Sequence, residues 1–243
     1  MSARDSILAS IRRSLGVTGA EAPRRREVAD RLSGHPRGVI PARGQLPAKE
    51  RLDLFVRMVE GAAGSVARLA DLADVPLEVS AFLRRHNLPM TAQRGADPLL
   101  AALPWERAGT LEISPMGARA QQGHEGLTAV SHAFGAVAET GTLAMASGAD
   151  NPTSLNFLPD NHIVVVEASD VAGDYETVWQ RLREKFGDGV MPRAVNLITG
   201  PSRSADIEQT LILGAHGPRR LHVILVGAPP ALPLPALAGK GLG

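Results

Sequence analysis

The 243-residue chain contains no cysteine. That absence removes disulfides, thiolate nucleophiles, zinc–thiolate centres and cysteine-ligated iron–sulfur clusters from its own chemistry, so a cluster-based redox centre would belong to a partner. Aromatic residues are scarce, at 3%, which argues against base-stacking platforms. Excess charge is small, 26 Lys+Arg against 25 Asp+Glu; a protein that works by neutralising phosphate backbones carries more, so no nucleic-acid partner is expected. Long apolar runs are missing too. The most apolar stretch, Leu221 to Leu237, is broken by Pro229, Pro230, Pro233 and Pro235, which a lipid-exposed helix of ~20 residues does not accommodate. The opening residues lack the basic start, apolar stretch and small-residue cleavage site of a secretory signal. A cytoplasmic protein without a membrane span is therefore expected.

Hydrophobic residues make up 44% of the chain and charged residues 21%, the arithmetic of one large or two small globular domains. Charge is uneven, because residues 1–51 hold 11 Lys+Arg against 5 Asp+Glu and the remainder 15 against 20. The expected division is a helix and basic Pro/Gly-rich arm over 1–50, an α/β domain over 51–228 and a proline-rich tail over 229–243. Ile7, Leu8, Ile11 and Leu15 recur at helical spacing, with Ser2 or Asp5 as cap and Gly16 as terminator. From Val17 to about Ala48, prolines, glycines and the Arg24-Arg25-Arg26 run predict an extended segment with no core of its own. It is open whether that segment is a solvated linker, packs along a neighbouring subunit or binds nucleic acid.

From Leu52 onward helical and strand-like patterns alternate. Leu52, Phe55, Val56 and Val59 mark a helix face, and Val75 to His86 and Tyr175 to Phe186 read as further helices. Strands are predicted at Gly64–Leu69, Thr110–Ile113, Leu127–Val130, Thr142–Ala146, His162–Val166, Ala194–Ile198 and Leu221–Val226, with another helix from about Ser204. The unbroken apolar run His162–Val166 is what a strand buried on both faces requires. Strand, helix, strand, helix, strand at the end of the chain predicts an α/β fold with a central, largely parallel sheet.

Several segments are dense in groups that carry chemistry. In Ala138-Glu-Thr-Gly-Thr142 a carboxylate sits among small and hydroxylated residues, so Glu139 could be a base, a nucleophile or a cap, with Thr140, Gly141 and Thr142 able to approach a ligand closely. In Thr199-Gly-Pro-Ser-Arg-Ser-Ala-Asp-Ile-Glu208, placed between the strand Ala194–Ile198 and the helix from Ser204, the start of a helix would offer N–H groups to an anion. Thr199, Gly200, Ser202, Arg203, Ser204 and Asp206 are the candidates there, and Ser204 as a cap with Asp206 at the helix dipole is the structural alternative. Gly214-Ala-His-Gly-Pro218 places His216 and Gly217 before the last strand, where His216 could move protons or simply brace a turn. Asn156-Phe-Leu-Pro-Asp-Asn-His162 adds His162 at a strand entry. The other histidines, His35, His86, His124, His132 and His222, are scattered, and no spacing marks a metal site.

Taken in order, Ala138–Thr142, Leu158-Pro-Asp-Asn-His-Ile163, Thr199–Glu208 and Gly214–Pro218 resemble the LUD-domain family of lactate utilisation protein C, over roughly residues 52–228. Ser204 stands where many members of that family have Thr. The resemblance implies a Rossmann-like three-layer domain of the sugar-phosphate isomerase and CoA-transferase type. It also implies work with two iron–sulfur lactate-utilisation proteins that oxidise L-lactate to pyruvate, the clusters residing on those partners; the sequence itself shows no cofactor bound by this chain. The motif positions carried over are Glu139, Thr140, Gly141, Thr142, Pro159, His162, Thr199, Gly200, Pro201, Ser202, Arg203, Asp206, His216 and Gly217. The chemistry such a site needs places the substrate carboxylate on Arg203 and the amides of its helix, and the hydroxyl proton on His216 or Glu139. A stand-alone transferase or isomerase acting on a CoA thioester or sugar phosphate, with Glu139 as nucleophile or base, and a non-catalytic assembly or ligand-sensing subunit remain open, as does a homo-oligomer.

Overall fold

The computed structural model describes residues 2–116, 126–205, 211–213 and 217–227, and for 204–205 and 211–213 the backbone only. The chain divides into two compact units, Met1–Ile40 and Pro41–Gly243. In the first, α1 (Ala3–Leu15) opens on a reciprocal cap. The Asp5 N–H donates to the Ser2 hydroxyl at 3.2 Å and the Ser2 N–H donates to the Asp5 carboxylate at 3.0 Å. Each side chain thereby satisfies a backbone donor that the first helical turn leaves orphaned. Gly16 ends the helix as expected.

A second helix, α2 (Ala22–Gly34), occupies the segment expected to be extended. Pro23 sits in its first turn, where a missing N–H costs nothing and the fixed φ fits a helix, and Glu27 pairs with Arg31 one turn on at 2.7 Å. Proline was thus a start signal here, not a breaker. Neither helix buries a residue, so this stretch does lack a core of its own.

The second unit runs α3 (Ala48–Gly61), β1 (Ser65–Leu69), α4 (Val75–Arg85), β2 (Thr91–Arg94), α5 (Pro98–Ala101), β3 (Glu112–Pro115), β4 (Thr128–His132), β5 (Gly135–Val137), β6 (Thr142–Ala146), α6 (Thr153–Phe157), β7 (Asn161–Glu167), β8 (Val171–Ala172), α7 (Tyr175–Phe186), β9 (Val195–Ile198), β10 (Arg203–Ala205), β11 (Leu211–Leu213) and β12 (Arg220–Val226). Six strands form one sheet in the order β1-β12-β7-β4-β2-β3, every neighbour parallel. The alternation of side chains across a strand divides its core cleanly. Val164, Val166, Leu221, Val223 and Leu225 join Phe55 and Val59 of α3 on one face. Ile163, Val165, Ile224 and Val226 join Val79, Phe82 and Leu83 of α4 on the other. Burial on both faces explains the unbroken β-branched runs, each such side chain contributing ~1.5–3 kcal/mol of transfer free energy.

Two expectations fail here. The strand Val195–Ile198 is not in the parallel sheet; it pairs antiparallel with β6 in a smaller sheet, β8-β5-β6-β9, packed by Leu143 and Met145 on the α3 side of the large one. Its exposed Leu197 and half-buried neighbours mark an edge strand, not a central one. The helix expected from Ser204 is likewise absent at its start. Arg203–Ala205 is a strand that pairs antiparallel with Leu211–Leu213, cross-strand pairing having overridden local preference. Among the described residues no helix is long and apolar enough to cross a membrane.

Candidate functional site

The strands β7 and β12 begin side by side, His162 opposite Leu221 in register. A cavity of about 220 Å³ opens at this end, walled by Phe157, Leu197, Ile198, Pro201, Pro218 and Leu221, with Asn156, His162, Thr199 and Ser202 as its polar lining and Gly200 and Gly217 at its loops. None of these residues carries a fixed charge. Asn156 is 1% exposed, yet neither its amide nitrogen nor its oxygen has a hydrogen-bond partner. His162 is fully buried; its Nε2 lies 3.0 Å from Ser131 Oγ and its Nδ1 has no partner. Burial disfavours the imidazolium and pushes the His162 pKa down to about 4, so the ring is neutral at pH 7. Leaving such groups unmatched costs ~1–3 kcal/mol each, which a ligand or water in the cavity would offset.

Glycine explains how distant motifs meet. At Gly141 φ is +67°, and a Cβ there would stand 2.6 Å from the backbone of Met58 and Val59. At Gly200 φ is +76°, and a Cβ would stand 2.3 Å from the Ala62 carbonyl oxygen. Both turns therefore dock on the last turn of α3, each approaching more closely than any side chain permits. Their hydroxyls join: Thr142 Oγ1 lies 2.7 Å from Thr199 Oγ1, 2.7 Å from Thr140 Oγ1 and 2.8 Å from the Tyr175 hydroxyl. The Ser202 N–H donates to the Pro218 carbonyl at 2.8 Å, which brings the Thr199–Ser202 loop against Gly217.

Other candidates fall elsewhere. Glu139 is 3% exposed but does not line the cavity. Its Oε2 accepts no hydrogen bond and lies 3.7 Å from Nε of Arg43, a pair between a buried carboxylate and an exposed guanidinium. Arg203 is exposed on β10 and is also absent from the lining. Because it sits in a strand, no helix start gathers amides around it at Ser204. The side chain of Ser204, together with Asp206, His216 and the tail over 229–243, lies outside the described residues. Pro159 is buried, and the neighbouring Asp160 takes the Gly126 N–H at 2.7 Å, bracing the entry to β7.

Asn156 in the cavity lining, Ser131 behind His162, Tyr175 in the hydroxyl cluster and Arg43 beside Glu139 are residues that patterns in the sequence did not single out. Asn156 had a faint signal, a polar residue amid an apolar half-turn just before His162. Tyr175 is the sole tyrosine and opens α7 directly after the Asp174 cap, a position that could have been read. Nothing local marked Ser131 or Arg43.

Against known proteins, residues 118–226 match the LUD domain family model. Over that stretch the chain is similar to the LUD-domain family. Two relatives named lactate utilization protein C are similar to it: one from Bacillus licheniformis, 36% identical over 109 residues, 44% of each chain, and one from Bacillus subtilis, 38% identical over 91 residues, 37% of this chain and 38% of the relative. The matched stretch thus spans less than half of the length of these relatives. A crystal structure of a DUF162 family protein from Deinococcus radiodurans superposes with a TM-score of 0.53 at 21% identity, covering 75% of this chain and 99% of that one. The α/β fold with its central parallel sheet is accordingly shared with a solved structure.

Proposed function

We propose that this chain serves lactate utilisation as a cytoplasmic subunit that binds the organic acid, working with two iron–sulfur proteins that accept the electrons when L-lactate becomes pyruvate. The names of its LUD-domain relatives support the process. The observation that carries the ligand-binding role is the pairing, in one small cavity, of two buried and unmatched polar groups, the Asn156 amide and His162 Nδ1. At about 220 Å³ the cavity is below the ~300–1,000 Å³ typical of pockets for drug-sized ligands, a scale that suits a three-carbon acid with water.

In this reading the Asn156 Nδ2 and the Ser202 hydroxyl donate to the carboxylate. His162, with Nε2–H donating to Ser131, offers Nδ1 as acceptor to the lactate hydroxyl. The apolar wall takes the methyl group. A carboxylate in a neutral, buried lining is poorly stabilised, so Arg203, which directly follows the lining residue Ser202, supplies the positive charge from the rim. His216 directly precedes the lining residue Gly217 and is the candidate base; a histidine with a pKa near 4, as at His162, is too weak for that task at neutral pH. Glu139 keeps the Ala138–Thr142 turn in place.

The deciding assay is lactate-dependent dye reduction by the complex captured on this chain from lactate-grown cells, with Asn156→Leu and Arg203→Ala variants. Retained assembly with activity reduced about tenfold or more supports the reading. Full activity in both variants overturns it and leaves an assembly subunit, while turnover of a CoA thioester or sugar phosphate by the isolated chain would overturn it in favour of a stand-alone enzyme.

A further inference from the structure

The opposite end of the parallel sheet carries a different assembly. There β4 finishes at His132, β7 finishes at Glu167, and Asp170 closes the short turn that follows. Parallel pairing of His132 with Val165 brings these together, so that one ligating atom from each of His132, Glu167 and Asp170 lies within 4.8 Å of the others. Asp97 Oδ2 stands 3.2 Å from His132 Nδ1, which leaves Nε2, buried and without a hydrogen-bond partner. A carboxylate on one ring nitrogen is how proteins fix an imidazole whose other nitrogen binds a metal.

A second group points the same way. Asn151, only 5% exposed, lines the same hollow as His132 and Asp170, a space of about 360 Å³. Its Nδ2 donates to the Ala146 carbonyl at 3.3 Å, while its Oδ1 has no partner. A buried amide oxygen and a buried imidazole nitrogen, both lone-pair donors, line a hollow whose carboxylates are Asp97, Asp150 and Asp170, with Glu167 beside His132 and Asp170 at its edge. Among the described residues the facing cations are fewer: Arg181, with Nη1 3.9 Å from Asp170 Oδ1, and Lys185 on the wall of the hollow.

We propose that this end of the sheet binds a divalent first-row cation through His132 Nε2, Glu167 and Asp170, with Asp97 positioning the imidazole and Asn151 Oδ1 on the wall of the adjoining hollow. One imidazole with two carboxylates matches Mn²⁺ or Zn²⁺ better than soft Cu⁺ or the all-oxygen preference of Mg²⁺. Three protein donors leave coordination positions open toward the hollow, where Lys185 would attract a small anion bound to the metal.

The test uses the untagged full chain, stripped with chelator, titrated with Mn²⁺ alone by loss of the free-ion electron paramagnetic resonance signal and with Zn²⁺ alone by calorimetry. One equivalent of at least one cation should bind. His132→Ala and Asp170→Asn should each weaken binding about tenfold or more, and Asp97→Asn about 10–100-fold. Glu60→Gln, on an exposed position of α3, should leave binding unchanged. With Mn²⁺ bound, imidazole nitrogen coupling should be present in pulsed spectra and lost in His132→Gln, a signature that a merely structural histidine would not give. Far-ultraviolet dichroism identifies variants that retain the fold. No saturable binding of either cation, or one-equivalent binding that survives both His132→Ala and Asp170→Asn, overturns the proposal.

Discussion

Where β7 and β12 begin, the polar groups at the cavity are neutral: Asn156, Thr199, Ser202 and a His162 whose pKa is held near 4. Where β4 and β7 finish, the carboxylates Asp97, Glu167 and Asp170 gather around His132, with Asp97, His132 and Asp170 each 14% or more exposed in the pairs they form and Glu167 half-buried. Depth sets the difference. A fully buried ring surrenders its proton because no water solvates the cation, whereas a partly wet carboxylate keeps its charge when donors reach it. For Asp97, burial alone would raise the pKa, but the hydrogen bonds from His132 and from the Leu100 N–H outweigh it and the net shift is downward. Within one sheet, then, the deep end presents neutral hydrogen-bonding groups and the wetter end carboxylates.

The comparison can be strained first through backbone contact. Gly200→Ala places a Cβ 2.3 Å from the Ala62 carbonyl oxygen at a positive φ; it should cost about 3 kcal/mol or more in chemical denaturation. Gly148→Ala, at the carboxylate end, has only the Asp150 nitrogen at 4.0 Å and should change stability by less than about 0.5 kcal/mol. Equal costs at the two positions would erase the distinction between a tightly docked end and an open one.

Next comes protonation. His162 is depressed from 6.5 to about 4, so the unfolded chain takes the proton first. Its contribution is complete above pH ~6.5 and is lost as pH falls toward 4, by roughly 3 kcal/mol in all. Denaturation of wild type and His162→Gln at pH 7 and pH 4.5 should show a steeper loss in wild type. Parallel losses would mean that the ring is not the titrating group.

A smaller effect tests the hydroxyl cluster that joins the two motif turns. Thr142→Val and Thr199→Val each remove the 2.7 Å contact and should cost about 1 kcal/mol. Their double variant should cost less than the sum, since one interaction is deleted twice. Additive losses would show the contact to be energetically silent. Similar in size but confined to one helix end, Ser2→Ala removes the cap of α1 and should speed amide exchange in its first turn about fivefold, equivalent to ~1 kcal/mol of local stability.

Much of this was legible because its cause is local. The His162–Val166 and Leu221–Val226 runs declare strands buried on two faces, the Leu52/Phe55/Val59 stripe declares α3, and Tyr175–Phe186 coincides with α7. The glycines and threonines of Ala138–Thr142 and Thr199–Ser202 stand in short contiguous segments, because close docking of a turn demands small residues side by side in sequence. Contiguity misled at Ser204, where hydroxyls and an acidic residue imitate a helix start but the backbone pairs with Leu211–Leu213. It misled again at Pro23, where a residue that breaks helices internally instead begins one.

By itself, then, the sequence determined the cysteine-free chemistry, the α/β class, the buried strands and the identity of the motif turns, since each follows from composition or from a period of two or 3.6 within a few residues. Only the tertiary structure decided which groups share a site. It moved Glu139 and Arg203 out of the cavity lining and put Asn156 and His162 into it, because sheet order and the docking of two glycine turns on α3 are fixed by packing across more than fifty residues. It also drew His132, Glu167 and Asp170 to one strand end: parallel neighbours in a sheet finish together, whatever separates them along the chain.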